Sequence, residues 1–397
     1  MKIEPEILQF QTQLQSLRRD IHAHPELSFE EYRTSDLVAN QLSAWSIPII
    51  RGLGGTGVVG VLKSGSSARA IGLRADMDAL PMQEFNQFSH TSQHAGKMHA
   101  CGHDGHVAML LGAARQLAQT MDFDGTVYFI FQPAEEGGGG AARMIADGLF
   151  EKCPMEAVFG MHNWPGLPVG SFAVRHGGMM ASSNEFEVTV CGKGAHAAQP
   201  QNAIDPIMIA VQIAQSWQTI VTRNLNPLDP AVLSITQIHA GSATNVIPDS
   251  ASLIGTVRTF SHSALDVLES RMEKIAHSTA AAFDAKLDFS FKRNYPPLVN
   301  HEQETEFALG VLRNLVDSSQ IIFPVEPTMG AEDFAFMLQE KPGCYIFIGN
   351  GEGDHRSQGH GLGPCNLHNP SYDFNDALLP LGTQYWCSLA RQYLNGA

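Results

Sequence analysis

Short, almost wholly apolar runs alternate with a helical segment in the first half of the chain. Continuous apolar runs of this length are typical of strands buried on both faces, as in a sheet covered by helices. The helical segment HVAMLLGAARQLAQTM lies at 106–121, and the apolar runs are GVVGVLK at 57–63, AIGLRAD at 70–76, TVYFIFQP at 126–133 and EAVFGMH at 156–162. The alternation predicts an α/β layer with a mixed, mostly parallel sheet.

The first 45 residues have helical rather than strand periodicity. The pattern extends from about Glu6 to Trp45, is broken at His24-Pro25 and stops at Ser46-Ile47-Pro48. The breaks fall at prolines, which remove a backbone donor and restrict the preceding residue. We therefore expect helical structure before the first strand, interrupted near Pro25.

The pattern changes near residue 182. NEFEVTVCGK at 184–193 alternates apolar and polar residues, which is typical of a strand with one solvated face. The elements that follow are a helix at 203–222, strands near 231–239 and 251–259, a helix at 263–284 and a strand at 287–293. Their β-α-β-β-α-β order is ferredoxin-like. The sequence thus predicts a discontinuous α/β domain of residues 1–182 and 294–397, interrupted by a ferredoxin-like α+β domain of residues 183–293.

Charge and cysteine content limit the possible partners and compartment. The 397 residues contain 25 Lys+Arg and 40 Asp+Glu, a net charge of −15, which argues against a nucleic-acid partner. The N-terminus lacks the apolar core of a signal peptide, and no apolar run is long enough to span a membrane. The six cysteines form no CxxC pair. We expect a cytoplasmic protein with no membrane partner.

The densest polar cluster is MHACGHDGH at 98–106, which lies just before a helix. Its Cys101 and His103 are two residues apart, so a short loop could direct both side chains to one metal ion. Taken alone, a CxH pair is more readily explained by a polar loop with a capping Asp104. His99 and His106 flank the pair without an assignable role.

Further candidate ligands follow other predicted strands. QPAEEGGGG at 132–140 contains two adjacent glutamates that point in different directions, so one can bind metal while the other faces water. An acidic surface turn is the simpler explanation of such a pair, and a single histidine after a strand is usually structural. Together, the candidates suit a two-ion site, and they are Cys101, His103, Glu136, His162 in MHNWP and His368 in LHNP.

Other polar residues suggest supporting roles. Asp78, in LRADMDALP, is placed to orient a metal-bound histidine, although a turn role is equally compatible. In the inserted domain, GKGAHAAQP exposes His196 among small residues, and Asn245 and Arg258 follow. A histidine, an amide and an arginine could stabilise an oxyanion and bind a carboxylate. Glu332 and Asp333 stand at a helix start, where capping is the default.

Eight strings, taken in order, resemble the metallo-aminoacylase and carboxypeptidase superfamily. The similar branch contains the hippurate hydrolases, N-acyl-amino-acid amidohydrolases and auxin-amino-acid conjugate hydrolases. The strings, which extend from residue 74 to about 376, are RADMDALP, MHACGHDGH, QPAEEG, MHNWP, GAHAAQP, TNVIPD, GAEDF and LHNPSYDFND. The Cys-Gly-His block distinguishes this branch from relatives that have carboxylates there.

The resemblance implies roles for individual residues. Glu135 matches the general base, Asp78 the carboxylate behind the metal ligands, and His196 a histidine that stabilises the oxyanion, in some relatives across a dimer interface. Asn245 and Arg258 match positions near the substrate carboxylate. The ligands of two divalent ions per subunit match Cys101, His103, Glu136, His162 and His368. The mixed donors are compatible with Zn, Ni, Co or Mn.

The resemblance also implies an activity and an assembly. We expect metal-dependent hydrolysis of the amide bond of N-acyl-L-amino acids, hippurate-like or N-acetylated, with Glu135 as general base. The inserted domain is expected to be a lid that mediates dimerisation, giving a dimer or a dimer-based tetramer. The alternatives are a dipeptidase or an N-acetyl-diaminopimelate deacetylase with the same mechanism, a non-catalytic binding homologue, and a thiol enzyme with Cys101 as nucleophile.

Overall fold

The chain divides into two compact units. The computed structural model describes residues 1–356 and 359–396. The first unit contains Met1–Gly177, Asn300–Glu326 and Phe336–Ala397, and the second contains Gly178–Val299 and Pro327–Ala335. Compared with the predicted domains, this division assigns residues 178–182, 294–299 and 327–335 to the second unit. The domain boundaries themselves stay a prediction.

The described residues form helices and strands in both units. The helices are α1 (Pro5–Gln9), α2 (Gln11–Ala23), α3 (Tyr32–Ala44), α4 (His103–Thr120), α5 (Gly140–Ala146), α6 (Leu149–Lys152), α7 (Pro206–Arg223), α8 (His262–Ala282), α9 (Glu302–Leu315), α10 (Ala335–Glu340) and α11 (Leu378–Asn395). The strands are β1 (Ile49–Leu53), β2 (Gly57–Ser64), β3 (Ala70–Asp76), β4 (Gly125–Gln132), β5 (Ala157–Pro165), β6 (Phe172–Ala173), β7 (Gly177–Met180), β8 (Ser183–Cys191), β9 (Ala195–His196), β10 (Ala231–Ala240), β11 (Val246–Ile247), β12 (Ser250–Thr259), β13 (Lys286–Tyr295), β14 (Leu298–Asn300), β15 (Ile321–Ile322) and β16 (Gly343–Gly351). Short 3₁₀ turns lie at Pro200–Asn202 and Ser318–Gln320.

The first unit is built on an eight-stranded mixed sheet in the order β1-β2-β4-β3-β5-β16-β6-β15. The central strands β4, β3, β5 and β16 are parallel, whereas β1, β2 and β4 pair antiparallel. The α/β prediction is confirmed, with its parallel part at the centre of the sheet. The run at 57–63 forms β2, which is largely buried although its neighbours are antiparallel, so burial and not strand direction produced its apolar pattern.

Helix α4 begins at the edge of the sheet formed by the carboxyl ends of the parallel strands. It contacts β3 together with α2 and α11, and most of its residues are buried. The strands β3, β4 and β5 run parallel and end at Asp76, Gln132 and Pro165. Polar residues placed at or just after these carboxyl ends therefore converge on one edge, as ligand sites in α/β sheets generally do.

The second unit contains a four-stranded antiparallel sheet in the order β10-β12-β8-β13, with contacts from α7 and α8. Along β8 exposure alternates, and Phe186, Val188 and Val190 join the core of this unit. Trp217 of α7 is fully buried and donates its indole N–H to the Met272 carbonyl of α8 at 3.0 Å. The strand order and the β-α-β-β-α-β sequence confirm the ferredoxin-like prediction.

Among the helices of residues 1–356 and 359–396, none combines the length and hydrophobicity required to cross a bilayer.

Candidate metal centre

The five predicted ligands lie together in the first unit. Cys101 Sγ is 3.3 Å from His162 Nε2, and His368 Nε2 is 3.3 Å from Glu136 Oε1. His103 Nε2 lies 3.9 Å from the same glutamate oxygen. Residues that are up to 267 positions apart in sequence (101 to 368) thus form one cluster at the edge of the sheet.

The donor atoms form two groups that share Cys101. In one group Cys101 lies with His103 and His162, in the other with Glu136 and His368, and the donor atoms of each group lie within 4.8 Å of one another. These spacings suit donors around an ion at 2.0–2.3 Å, the usual length of bonds from nitrogen, oxygen and sulfur to Zn²⁺. Cys101 thus belongs to both groups of donor atoms.

Two buried donor atoms support a metal in this cluster. His103 Nε2 and Glu136 Oε1 are shielded from solvent, and neither makes a hydrogen bond with any residue that the structure describes. Buried polar atoms normally make hydrogen bonds, whereas these two have only ion-pair contacts at 3.3 to 3.9 Å, which a cation bound between the side chains would explain. Both atoms belong to the predicted ligand set, which fits a divalent cation with mixed sulfur, nitrogen and oxygen donors.

The electrostatics of the cluster depend on its carboxylates. Burial raises the pKa of the Cys101 thiol, and the charges of Glu136 and Glu135 raise it further. Burial alone would lower the pKa of His103, but neighbouring carboxylates, with Asp76 foremost, outweigh it and raise it to about 10. A thiol that binds a metal loses its proton, so metal binding at Cys101 is expected to release protons.

His162 is held as a neutral imidazole. Burial lowers its pKa, and the nearby His106 lowers it further. Its Nδ1 lies 2.6 Å from the Asn163 carbonyl oxygen. If Nδ1 donates that proton, the Nε2 lone pair faces Cys101, which is the arrangement that a metal ligand requires.

Asp78 supports two parts of the cluster. Its backbone carbonyl accepts a hydrogen bond from His103 Nδ1 at 2.8 Å, while its carboxylate lies farther away, at 3.5 Å. The carboxylate instead accepts the N–H groups of Glu135 and Glu136 at 2.9 and 3.0 Å. Asp78 thus orients a predicted ligand through its backbone and the adjacent glutamates through its side chain.

The sequence analysis did not predict a further series of hydrogen bonds that supports the candidate ligands. Asp76 Oδ1 lies 2.6 Å from His106 Nδ1, and His106 Nε2 accepts the Asn163 backbone N–H at 3.0 Å. Asn163 Nδ2 donates to the Cys101 carbonyl at 2.7 Å, and Asn163 Oδ1 accepts the Tyr372 hydroxyl at 2.7 Å. The only signal in the sequence was adjacency, since each of these side chains lies within four residues of a predicted site residue.

The remaining predicted residues lie in the second unit. Exposed His196, in β9, pairs with Val246 of β11, and the Ala197 N–H donates to the Asn245 carbonyl at 3.0 Å. His196 and Asn245 are therefore close neighbours. Arg258 is on β12, where burial lowers its pKa although Glu185 opposes that effect. The roles of these three residues stay predictions.

Residues 72–392 match the model of Peptidase family M20/M25/M40, and the chain belongs to this family. Family membership and the relatives below identify a hydrolase that acts on amide bonds, with candidate metal ligands in the cluster. The chain is 41% identical to a hippurate hydrolase of Campylobacter jejuni over 394 residues, which is 99% of this chain and 100% of the relative. The family prediction is confirmed.

Two further relatives and two solved structures agree with this assignment. An N-acetylcysteine deacetylase of Bacillus subtilis is 37% identical over 96% of this chain and 97% of its own length. An IAA-amino acid hydrolase, ILR1-like 4, of Arabidopsis thaliana is 40% identical over 95% of this chain and 85% of its own length. The YXEP protein of Bacillus subtilis, described as a dinuclear metal-binding peptidase of the M20 family, superposes with a TM-score of 0.83 at 35% identity over 98% of this chain and 99% of its own. A putative aminohydrolase of Staphylococcus aureus has a TM-score of 0.90 at 28% identity, with 98% of each chain covered.

Proposed function

We propose that this protein hydrolyses the amide bond of N-acyl-L-amino acids such as hippurate or N-acetyl amino acids. One observation carries the proposal: adjacent Glu135 and Glu136 adjoin a buried Cys/His cluster, with donor atoms of both lying within 4.8 Å of His103. One carboxylate can bind metal while the other accepts a proton from water, and metal-assisted hydrolysis needs both roles. Relatives named for hippurate, N-acetylcysteine and IAA-amino acids support the substrate class.

We assign two divalent ions per subunit to the cluster, with Zn, Ni, Co or Mn as candidates. Cys101, His103 and His162 would hold one ion, and Cys101, Glu136 and His368 the other. When bound, the ions would polarise the attacked carbonyl and lower the pKa of the attacking water. The dinuclear description of the Bacillus subtilis structure supports the number of ions.

Glu135 acts as the general base and then as the acid. Its carboxylate removes a proton from water as the water attacks the amide carbonyl, and it returns that proton to the nitrogen of the leaving amino acid. Glu135 is buried beside Glu136, which keeps competing water away from the transferred proton. Asp78 holds the backbone of both glutamates, so both carboxylates start from fixed positions.

Residues of the second unit complete the proposal. His196 would help to stabilise the oxyanion, within its own subunit or in a partner's site, and Asn245 and Arg258 would bind the substrate carboxylate. We propose a dimer, or a tetramer built from dimers, formed through the inserted domain, and a location in the cytoplasm. The proposed small-molecule partner is an N-acyl amino acid or a dipeptide.

Peptide substrates are the second candidate. Two relatives of Saccharolobus solfataricus named as thermostable carboxypeptidases are each 37% identical to this chain over 99% of its length. A dipeptide and an N-acyl amino acid share the amide bond and the carboxylate, and they differ in the charged amine of the dipeptide. An N-acetyl-diaminopimelate deacetylase would use the same chemistry on a longer substrate.

Hydrolysis rates across a substrate panel test the proposal, after metal analysis of the purified protein. The panel should contain hippurate, N-acetyl amino acids, N-acetyl-diaminopimelate and dipeptides. We expect turnover of N-acyl amino acids that is lost on chelation and restored by divalent ions. Turnover confined to dipeptides would favour the second candidate, and the absence of turnover with full metal occupancy would favour a binding protein. Activity that resists chelation but is lost on alkylation would indicate a thiol enzyme.

A further inference from the structure

We infer that Glu31 is a positioning residue for the general base: its buried carboxylate fixes the turn at residues 133–136 that presents Glu135. No motif in the sequence pointed to Glu31, which lies more than 100 positions before the base (31 against 135). The inference rests on the proposed function, because that proposal assigns the base role to Glu135.

Three consecutive backbone N–H groups of this turn are bound by two buried carboxylates. The Ala134 N–H donates to Glu31 Oε1 at 2.8 Å. The N–H groups of Glu135 and Glu136 donate to the two oxygens of Asp78 at 2.9 and 3.0 Å. These three N–H groups make no hydrogen bonds of a regular helix or sheet. The carboxylates of Glu31 and Asp78 accept them instead of backbone carbonyls.

The conformation of the turn needs such external support. Ala134 has a φ of +54°, in the left-handed region that residues with a Cβ rarely adopt. The turn is also closed tightly, because a Cβ added at Gly140 would lie 1.7 Å from the Pro133 carbonyl oxygen. Backbone conformations of this kind persist where the surrounding structure fixes them, and they are common at functional sites.

Glu31 is itself held rigidly. It is fully buried at the residue before α3, and its Oε2 accepts the Thr56 hydroxyl at 2.6 Å. Its Oε1 accepts the Phe29 N–H at 3.0 Å in addition to the N–H of Ala134. Since both carboxylate oxygens are occupied, the side chain cannot rotate away from the turn without breaking several hydrogen bonds.

Loss of this carboxylate would affect the base more than the metal. Without Glu31 the Ala134 N–H would be buried with no acceptor, so the left-handed residue next to Glu135 would relax. Asp78 would still bind the backbone N–H groups of both glutamates, and only the Glu136 carboxylate would also be held by an ion. A base displaced by about 1 Å can reduce the rate about 100-fold while leaving the binding of substrate intact.

Kinetics of three metal-loaded variants test the inference. We expect Glu31→Ala to lower kcat about 10- to 100-fold, with KM and metal content close to those of the wild type. Glu31→Gln keeps an oxygen that can accept the Ala134 N–H, so it should retain most of kcat. The control is Glu26→Gln, in the same loop, whose carboxylate binds the N–H groups of Arg33 and Thr34 at 2.9 Å and does not bind the turn.

Two results would overturn the inference: a folded Glu31→Ala enzyme with wild-type kcat, or equal losses in the alanine and glutamine variants. If Glu31→Ala does not fold, Thr56→Val replaces it, since this variant removes only the hydroxyl that fixes Glu31. A smaller fall in kcat without a change in melting temperature would then support the inference, and an unchanged kcat would overturn it.

Hydrogen exchange tests the role of Glu31 independently of the proposed substrate class. Glu31→Ala should accelerate amide exchange in peptides covering residues 132–140, while Glu26→Gln should not. This readout needs no substrate, so it stands even if the wild type hydrolyses no N-acyl amino acid. Unchanged exchange at 132–140 in the Glu31→Ala variant would overturn the inference.

Discussion

Gly102 shows how closely the candidate metal centre is packed at the level of single residues. It separates Cys101 from His103 and has a φ of +91°. A Cβ at this position would lie 2.2 Å from Asn163 Nδ2 and 2.5 Å from the Tyr372 hydroxyl. The spacing of the two candidate ligands was readable from the sequence, but this requirement for glycine depends on side chains 61 and 270 positions away (163 and 372 against 102), so the sequence could not reveal it.

Asn163 is expected to govern metal affinity. Its amide donates to the Cys101 carbonyl at 2.7 Å, so Asn163→Ala should free the loop that carries two of the proposed ligands. Loss of a group that orients ligands typically weakens metal binding about 10- to 100-fold. Chelator competition with Co²⁺, followed by the thiolate-to-cobalt absorption band, measures this change. Tyr372→Phe is the control, because it preserves the amide contact with Cys101. Equal Co²⁺ affinity in wild type and Asn163→Ala would contradict the prediction.

At the level of elements, the loop between α2 and α3 contributes residues that contact the candidate site. The sequence predicted an interruption near Pro25, and α2 ends at Ala23 while α3 begins at Tyr32. The intervening loop includes Ser28, which donates to Asp78 at 2.8 Å, and Glu31. Periodicity located the break because proline interrupts a helix locally. It could not assign the loop a function, because that depends on pairing with residues of distant strands.

Arg18 connects α2 to the rest of the first unit. Its fully buried guanidinium contacts Asp104, Asp373 and Asp376 at 3.4, 3.0 and 2.7 Å. Removing one member of a buried ionic network leaves uncompensated charge, so Arg18→Ala should lower the free energy of unfolding by about 3–5 kcal/mol. Denaturant titration measures the change. The neighbouring Arg19, which is 40% exposed and contacts only Asp376 among these carboxylates, is the matched control, and its replacement should cost less than about 1 kcal/mol. Similar losses for both variants would contradict this account.

His22 should make stability depend on pH in the alkaline range. Burial alone would lower its pKa, but Asp104 and Glu84 outweigh burial and raise it to about 10. A raised histidine pKa stabilises the fold fully below about pH 6.5, the unfolded value, and the benefit is lost as the pH rises through the folded pKa. The unfolding free energy should therefore fall between about pH 6.5 and 10, and His22→Gln should lack this part of the decline. If the unfolding free energies of the wild type and His22→Gln changed with pH in the same way, the raised pKa of His22 would be contradicted.

At the level of the whole molecule, the sequence predicted the fold class of each unit but not the hydrogen bonds between residues that are distant in the chain. The βαββαβ order of the second unit follows from alternating strands and helical spacing, which are local properties. The five candidate ligands could be proposed from the sequence because their motifs resemble those of a known family, and the structure brings their side chains into one cluster. Their roles as ligands stay a prediction. The chain of hydrogen bonds from Asp76 to Tyr372 was not predictable, since it is created by packing between strands and loops that are distant in sequence.

The measurement that tests the central claim most directly is the activity of Glu135→Gln with its metal content determined on the same sample. Wild-type protein should hydrolyse hippurate or an N-acetyl amino acid in a metal-dependent manner. The variant should retain the ions but lose about 10²- to 10⁴-fold in kcat, because only the proton transfer has been removed. Glu151→Gln, at an exposed glutamate of α6, controls for the loss of one negative charge. A fully metallated Glu135→Gln enzyme with near-wild-type kcat would contradict the account.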